Sequence, residues 1–349
     1  MKNRTIVLAF AAAGLLAVGN PQGVSANDFY AGKTIRVIVG FAAGGGYDTY
    51  ARAAARHMGK HIPGNPSFVV ENMDGAGSLL AANYLYNKAS ADGLTMGTWN
   101  NLMILQEALG ARAVKFDARR FGWIGAPTQA RSVCAVMGFT GLRTLDDVRH
   151  SKRALKMGAT RAGSTTDDLP KLMNRFMGTK FNVISGYTGT AKIRVAMQSH
   201  EVDGACWGWE SMSVTARALL NARGDDQLIP YIMDGTSEDR EVNGLPQFTD
   251  AIKDKADLAA FNVWREPKQF ERPLMVPPGT PRDRLEILRR AYGETLRDPE
   301  FLAEAAKTKM VVEHVPGERI EKAVREILSI SPDAKKKLEF LVKTQAKTS

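Results

Sequence analysis

The chain opens with a short basic head, Lys2 and Arg4, and an apolar run over residues 5–18. That run is too short for an ordinary membrane-spanning helix. Val24-Ser25-Ala26 then presents small residues where a signal peptidase reads, which predicts a cleaved leader of residues 1–26. Beyond it, short apolar strands alternate with amphipathic helical stretches. Residues 34–39 read as a strand, 47–58 as a helix, 67–71 as a strand, 79–88 as a helix and 94–98 as a strand ending at Trp99-Asn100. A second unit begins near Thr128, with strands over 132–137, 154–157, 181–184 and 202–206 and helices over 166–177 and 188–198. From about Asp234 the pattern is irregular. It returns with a strand over 272–276 and helices over 281–297, 299–307, 316–328 and 332–343, Thr280 being the expected N-cap of the first and Pro281 lying in its first turn. No later segment has the length and apolarity of a transmembrane helix.

This alternation predicts an α/β fold with polar loops at the carboxyl ends of strands, where such folds place their ligands. The chain is longer than one hydrophobic core normally serves. Two lobes are expected: residues 27–127 plus 235–349, made discontinuous by the late return, and residues 128–234.

Four loops of this kind stand before helices. Phe41-Ala42-Ala43-Gly44-Gly45-Gly46-Tyr47-Asp48 and Asp74-Gly75-Ala76-Gly77-Ser78 belong to the first unit. Gly158-Ala159-Thr160-Arg161-Ala162-Gly163-Ser164-Thr165-Thr166 and Ser185-Gly186-Tyr187-Thr188-Gly189-Thr190 belong to the second. Glycines expose backbone N–H groups, and the helix that follows adds unpaired donors and the positive end of its dipole, so such loops suit anions. Nucleotide motifs do not fit them. Gly32-Lys33-Thr34 imitates the end of a phosphate loop, but Asn27 stands where the first glycine belongs and a strand follows rather than precedes it. Gly44 to Gly46 lack the dinucleotide spacing, and no Gly-x-Ser-x-Gly elbow surrounds any serine. A serine-type hydrolase using Ser78 or Ser164 is a minor alternative without an evident base.

Composition narrows this further. Lys and Arg number 47 against 37 Asp and Glu, a net charge of +10. The charges are scattered, and no basic stripe is interleaved with aromatics, so the balance reads as weak steering of anions and not as a nucleic-acid surface. Cys134 and Cys206 lie in strand-like runs and read either as a cross-strand disulfide or as two separate buried thiols. His57 and His61 are four apart, but Gly59 and Ile62-Pro63-Gly64 end the helix there, which predicts a frayed, solvated end and no metal pair. No metal or cofactor is expected.

The run Ile35 to Asp48 resembles the first-strand signature of the tripartite tricarboxylate transporter receptors, the Bug-type periplasmic solute-binding proteins. So do Val70-Glu71-Asn72-Met73-Asp74-Gly75-Ala76-Gly77-Ser78 and Ala91-Asp92-Gly93-Leu94-Thr95. Gly163-Ser164-Thr165, Tyr187-Thr188-Gly189, Val202-Asp203-Gly204, Pro277-Gly279-Thr280-Pro281 and Asp298-Pro299-Glu300 follow in family order. The resemblance implies a monomeric, two-lobed, type II-like periplasmic binding protein that is not an enzyme. It implies that a small carboxylate is captured between the lobes and delivered to one small and one large integral-membrane subunit. It also implies that Ala43 to Asp48 and Gly75 to Ser78 hold one carboxylate end, while Gly163 to Thr166, Tyr187 and Trp207 to Glu210 close over the rest. A similar receptor that serves a signalling partner is the alternative.

The chain departs from the family pattern at Ala42-Ala43, Tyr47, Arg161 and Trp207-Gly208-Trp209-Glu210. Arg161 is expected to pair with a second carboxylate, and Tyr47, Trp99, Trp207 or Trp209 to face an apolar, even aromatic, ligand body. Asn100 joins them as a polar strand end. Asp48 either stabilises its helix N-terminus or, like Glu210, accepts a hydrogen bond from a ligand hydroxyl or ammonium.

Overall fold

Strand β1 (Thr34–Val39) is β-branched everywhere except Arg36 and buries Ile35, Val37, Ile38 and Val39, the composition of a strand covered on both faces. In the computed structural model, which describes residues 29–343, it pairs in parallel with β2 (Ser67–Asn72) and β3 (Thr95–Thr98). The leader lies outside the described residues. Helix α1 (Gly46–Met58) links β1 to β2 and buries Tyr50, Ala51, Ala53, Ala54 and Met58; α2 (Leu79–Asn87) leads on towards β3. After α3 (Met103–Ala108) and β4 (Gly122–Ala126) the chain crosses into a second sheet.

That part runs β5 (Ser132–Met137), α4 (Leu145–Arg149), β6 (Leu155–Ala159), α5 (Thr165–Met177), β7 (Phe181–Ser185), α6 (Thr190–Gln198), β8 (Gly204–Gly208), α7 (Trp209–Thr215), α8 (Arg217–Asn221), β9 (Leu228–Asp234) and α9 (Lys255–Arg265). The chain then returns through β10 (Leu274–Val276), α10 (Arg282–Thr295), α11 (Pro299–Thr308), β11 (Val315–Pro316), α12 (Gly317–Leu328) and α13 (Pro332–Lys343). The first sheet has the order β11-β4-β10-β3-β1-β2 and the second β7-β6-β8-β5-β9, each mixing parallel and antiparallel pairs. The two crossovers run side by side. Thr128 and Glu271 form an antiparallel bridge, the Glu271 N–H donates to Thr128 O and the Ala130 N–H to Lys268 O, both at 2.8 Å.

Several expectations are corrected. The stretch read as irregular beyond Asp234 contains α9, capped by the Asp254 carboxylate on the Asp257 N–H and burying Ala260, Phe261 and Trp264. Strands β4 and β9 were not anticipated: β4 is short and glycine-flanked, and β9 carries Pro230 within it. Thr280 does not cap α10; its hydroxyl donates to Pro277 O at 2.9 Å. The end of α1 is tied down instead of frayed, since His57 meets Glu304 at 3.0 Å and His61 meets Asp298 at 2.9 Å. Of the two cysteine readings, the cross-strand bond holds: Cys134 and Cys206 face each other on β5 and β8, fully buried and disulfide-bonded.

Candidate ligand-binding site

Between the two sheets lies a cavity of about 60 Å³. The first sheet supplies Phe41, Gly45, Gly46 and Tyr47 from the loop after β1, and Asn100 from the end of β3. Ser164 and Thr165 come from the opposite side, with Trp207 and Gly208 at the end of β8. These are strand carboxyl ends and helix starts, so the topology that places the sheets also places the site.

Helices α1, α5 and α6 begin at this cavity with Gly45, Ser164 and Gly189 as N-caps, and none of these makes a side-chain cap. Two loop N–H groups are already taken by the chain's own carboxylates. Gly44 N–H donates to Asp48 Oδ2 at 2.9 Å and Gly163 N–H to Asp168 Oδ1 at 3.0 Å. Asp48 is further held by Arg52 and Asn72. Burial works against its charge, but the bonds from Arg52, the Gly44 N–H and Asn72 together hold the carboxyl below its usual range. Its role in the structure is therefore to order the loop at the helix start.

A hydroxyl cluster forms the second lobe's wall. The Thr160 hydroxyl donates to Ser164 Oγ at 2.9 Å, Ser164 Oγ donates to Arg161 O at 2.7 Å, and Thr166 Oγ1 accepts the Thr160 N–H at 2.9 Å. Ser78 Oγ accepts the Asn100 N–H at 2.9 Å. Neither serine is hydrogen-bonded to a histidine among the described residues.

The loops also meet each other directly. Arg194 donates to Gly44 O at 3.0 Å, Arg161 to Ala76 O at 2.7 Å and the Ala42 N–H to Thr188 O at 3.3 Å. A side-chain carbon on Gly77 would stand 2.2 Å from Arg161 Cγ, and one on Gly163 would stand 2.5 Å from Gln106 Nε2. Several motif glycines are thus where opposing loops pack closest.

Not every expected residue reaches the cavity. Ala43 and Gly44 are exposed at its rim. Gly77, Arg161 and Tyr187 line a separate groove of about 380 Å³ beyond Thr160, and the Tyr187 hydroxyl donates to Glu201 at 2.6 Å. Trp99 is fully buried among Phe116, Phe121 and Trp123, and Trp209 is fully buried with its indole N–H on Asp239. Both tryptophans fill lobe cores, Trp99 just past β3 and Trp209 at the start of α7, because burying so large an apolar ring outweighs leaving it in the cleft. Glu210 is fully buried; its Oε1 accepts the Arg131 N–H at 2.9 Å, and Oε2 has no partner among the described residues.

The sequence reading missed Ser211, Glu271 and Arg272, which line the cavity, whereas Thr190 lines it from a loop already singled out. Ser211 directly follows the motif that ends at Glu210, and only the short helix α7 turns it inward. Glu271 and Arg272 lie in the second crossover, which carries no glycine loop to draw notice. Tyr47 does face the cavity, and its hydroxyl donates to Glu271 at 3.2 Å.

Burial pushes the Glu210 carboxyl up to about 7, with Arg272 and Arg131 pulling it down and Glu271 adding to the rise. Between its ordinary value of 4.5 and about 7 the folded chain therefore binds this proton more tightly than the unfolded chain. Stability from this group grows as pH falls through that window. His314, held low by burial, acts the opposite way near its usual value, so the test is a difference. Glu210→Gln is expected to remove a gain of up to about 3 kcal/mol between pH 8 and pH 5. Urea denaturation of both proteins at those pH values measures it, and equal pH slopes would contradict it.

No family model matches the chain. In sequence it is similar to the UPF0065 protein in the TAR-I ttuE-ttuC' intergenic region of Agrobacterium vitis, 26% identical over 286 residues that cover 75% of this chain and 80% of that protein. In structure it is similar to the periplasmic binding protein BugD, with a TM-score of 0.70 at 18% identity over 91% of this chain and 99% of that one. It is also similar to MatC from Rhodopseudomonas palustris with bound malate, with a TM-score of 0.69 at 21% identity over 88% and 99% of the two chains. The chain is thus similar in sequence to the UPF0065 protein and has the fold of the periplasmic binding protein BugD.

Proposed function

We propose that this chain is an exported receptor that captures a small organic carboxylate between its two lobes and delivers it to integral-membrane transporter subunits, without catalysing a reaction on it. The observation that carries this reading is the convergence of three helix N-termini without side-chain caps, those of α1, α5 and α6, on one cavity between two sheets. A carboxylate that leaves water must recover its hydrogen bonds, and N-terminal N–H groups and hydroxyls supply them with the favourable end of three dipoles. The malate bound by MatC is a ligand of this class. The buried Cys134–Cys206 disulfide suits an oxidising compartment such as the periplasm. Closure couples capture to delivery, because a ligand touching both lobes favours the arrangement in which they meet.

Thermal denaturation against mono-, di- and aromatic carboxylates tests this. A ligand of the folded state stabilises by about 2.7 kcal/mol at a hundredfold excess over its Kd, so at least one acid is expected to raise the melting temperature clearly. A flat response across the panel would sink the proposal. Turnover of an ester or amide that is lost on Ser78→Ala or Ser164→Ala would replace it with a hydrolase.

A further inference from the structure

Arg272 stands where the second crossover enters β10, and the residue lines the cavity. The residue is 4% exposed, and Nε and Nη1 are buried with no hydrogen-bond partner among the described residues. Its rings are those of Tyr50, 4.8 Å away, and Tyr47, 5.7 Å away. Two glycines make room for it: a side-chain carbon on Gly46 would lie 3.2 Å from Nε, and one on Gly208 would lie 3.3 Å from Nη2. The backbone of Arg272 also has φ 58°, a left-handed conformation that side chains other than glycine's disfavour. The carboxylates of Glu271 and Glu210 favour this charge from a distance, but two buried donors without hydrogen bonds on a left-handed backbone are still costly, and such costs persist where a ligand uses them.

The obvious competing role is that of counter-ion to Glu210. Arg272 acts on Glu210 at a distance, but the two form no hydrogen bond or ion pair among the described residues. Glu210 Oε1 is served by Arg131, through its N–H at 2.9 Å and Nη1 at 3.3 Å, while Glu210 Oε2 and the two Arg272 nitrogens remain unpartnered without meeting one another. Glu271 likewise forms no ion pair with Arg272 among the described residues, and accepts from the Tyr47 hydroxyl instead.

Resting on the receptor reading above, we propose that Arg272 is the charge anchor of the ligand. Its guanidinium takes the ligand's carboxylate in charge-assisted hydrogen bonds, so the receptor selects the ionised acid over a neutral isostere of the same shape. Glu271 on the same wall disfavours a second carboxylate at this end, which therefore holds a single one. Because Arg272 adjoins the Thr128–Glu271 bridge, the anchor belongs to the connection between the lobes, and the loops of both lobes then close around an acid already held there.

The test measures melting temperature and calorimetric affinity for the wild type, Arg272→Gln and Arg272→Lys, with succinate, L-malate and benzoate against the neutral succinamide and benzamide. In the wild type the acids are expected to bind about a hundredfold tighter than the amides. Arg272→Gln collapses that ratio to within about tenfold. Arg272→Lys keeps a preference for acids at reduced affinity, since the charge stays and the fork is lost. An unchanged acid-to-amide ratio in the glutamine variant overturns the anchor while the receptor reading stands. Wild-type protein that binds none of the probes sinks both. Should the glutamine variant fail to fold, undiminished acid affinity in Arg272→Lys overturns the anchor.

Discussion

Gly46→Ala is expected to weaken the binding of a carboxylate such as malate by about a hundredfold, by hindering the meeting of the lobes without unfolding either. Gly46 opens α1 in an ordinary helical conformation, so the backbone accepts alanine and the helix gains propensity. The added carbon, however, would stand 2.4 Å from Ser211 Oγ and 2.6 Å from Ser211 Cβ, on α7 of the other side. A serine is too short to swing its Cβ away, so α1 and α7 must separate. That separation strains the contact in which the Tyr50 hydroxyl donates to Glu210 O at 3.2 Å. The ligand then touches both lobes only at the expense of that strain. Titration calorimetry reads the affinity, and small-angle scattering reads whether ligand still compacts the protein. The second variant, Ser211→Gly on top of Gly46→Ala, is expected to restore most of the loss, as a shared contact requires. Unchanged affinity in Gly46→Ala would show that the lobes meet with slack the structure does not have.

Replacing both Cys134 and Cys206 by alanine is expected to cost about 4 kcal/mol of stability, the value for closing a loop of this length in the unfolded chain. The two residues are 72 apart in sequence and pair directly across β5 and β8. Both are fully buried in the core beneath β5 and β8, so loss of the sulfurs adds a small packing penalty to the lost constraint. The shift in urea midpoint of the double variant measures the sum. Ligand affinity is expected to change little, because the bond lies in the core and the cavity is lined by other residues. A stability loss below about 1 kcal/mol would mean that the unfolded chain is already constrained there by other contacts.

Much of the architecture was legible because local chemistry is strong where it was read. The β-branched run of β1, the glycines before α1 and the hydroxyls before α5 each specify their conformation within a few residues. Where the reading failed, the signal was weak or misleading. Strand β4 holds glycines, β9 holds Pro230, and α9 lay in a stretch whose helical pattern was broken by polar residues. The site shows the same division. Gly45, Gly46, Tyr47, Ser164 and Thr165 were found from their loops and do line the cavity, whereas Trp99 and Trp209 followed the same loop logic into the cores.

What the sequence by itself determined, then, is the set of strands and helix starts that end in small and hydroxylated residues, because strand patterning, glycine conformations and helix N-termini are local matters. Tertiary structure alone decided what those ends are for. It turned Asp48 and Asp168 back onto their own loops, packed Gly46 and Gly77 against side chains from across the cleft, and brought Arg272, from a crossover more than two hundred residues after the first loop, to the cavity wall with Nε and Nη1 lacking a hydrogen-bond partner among the described residues. The physical reason is that a charge's cost depends on what surrounds it in space, and no pattern along the chain records which two loops will face each other.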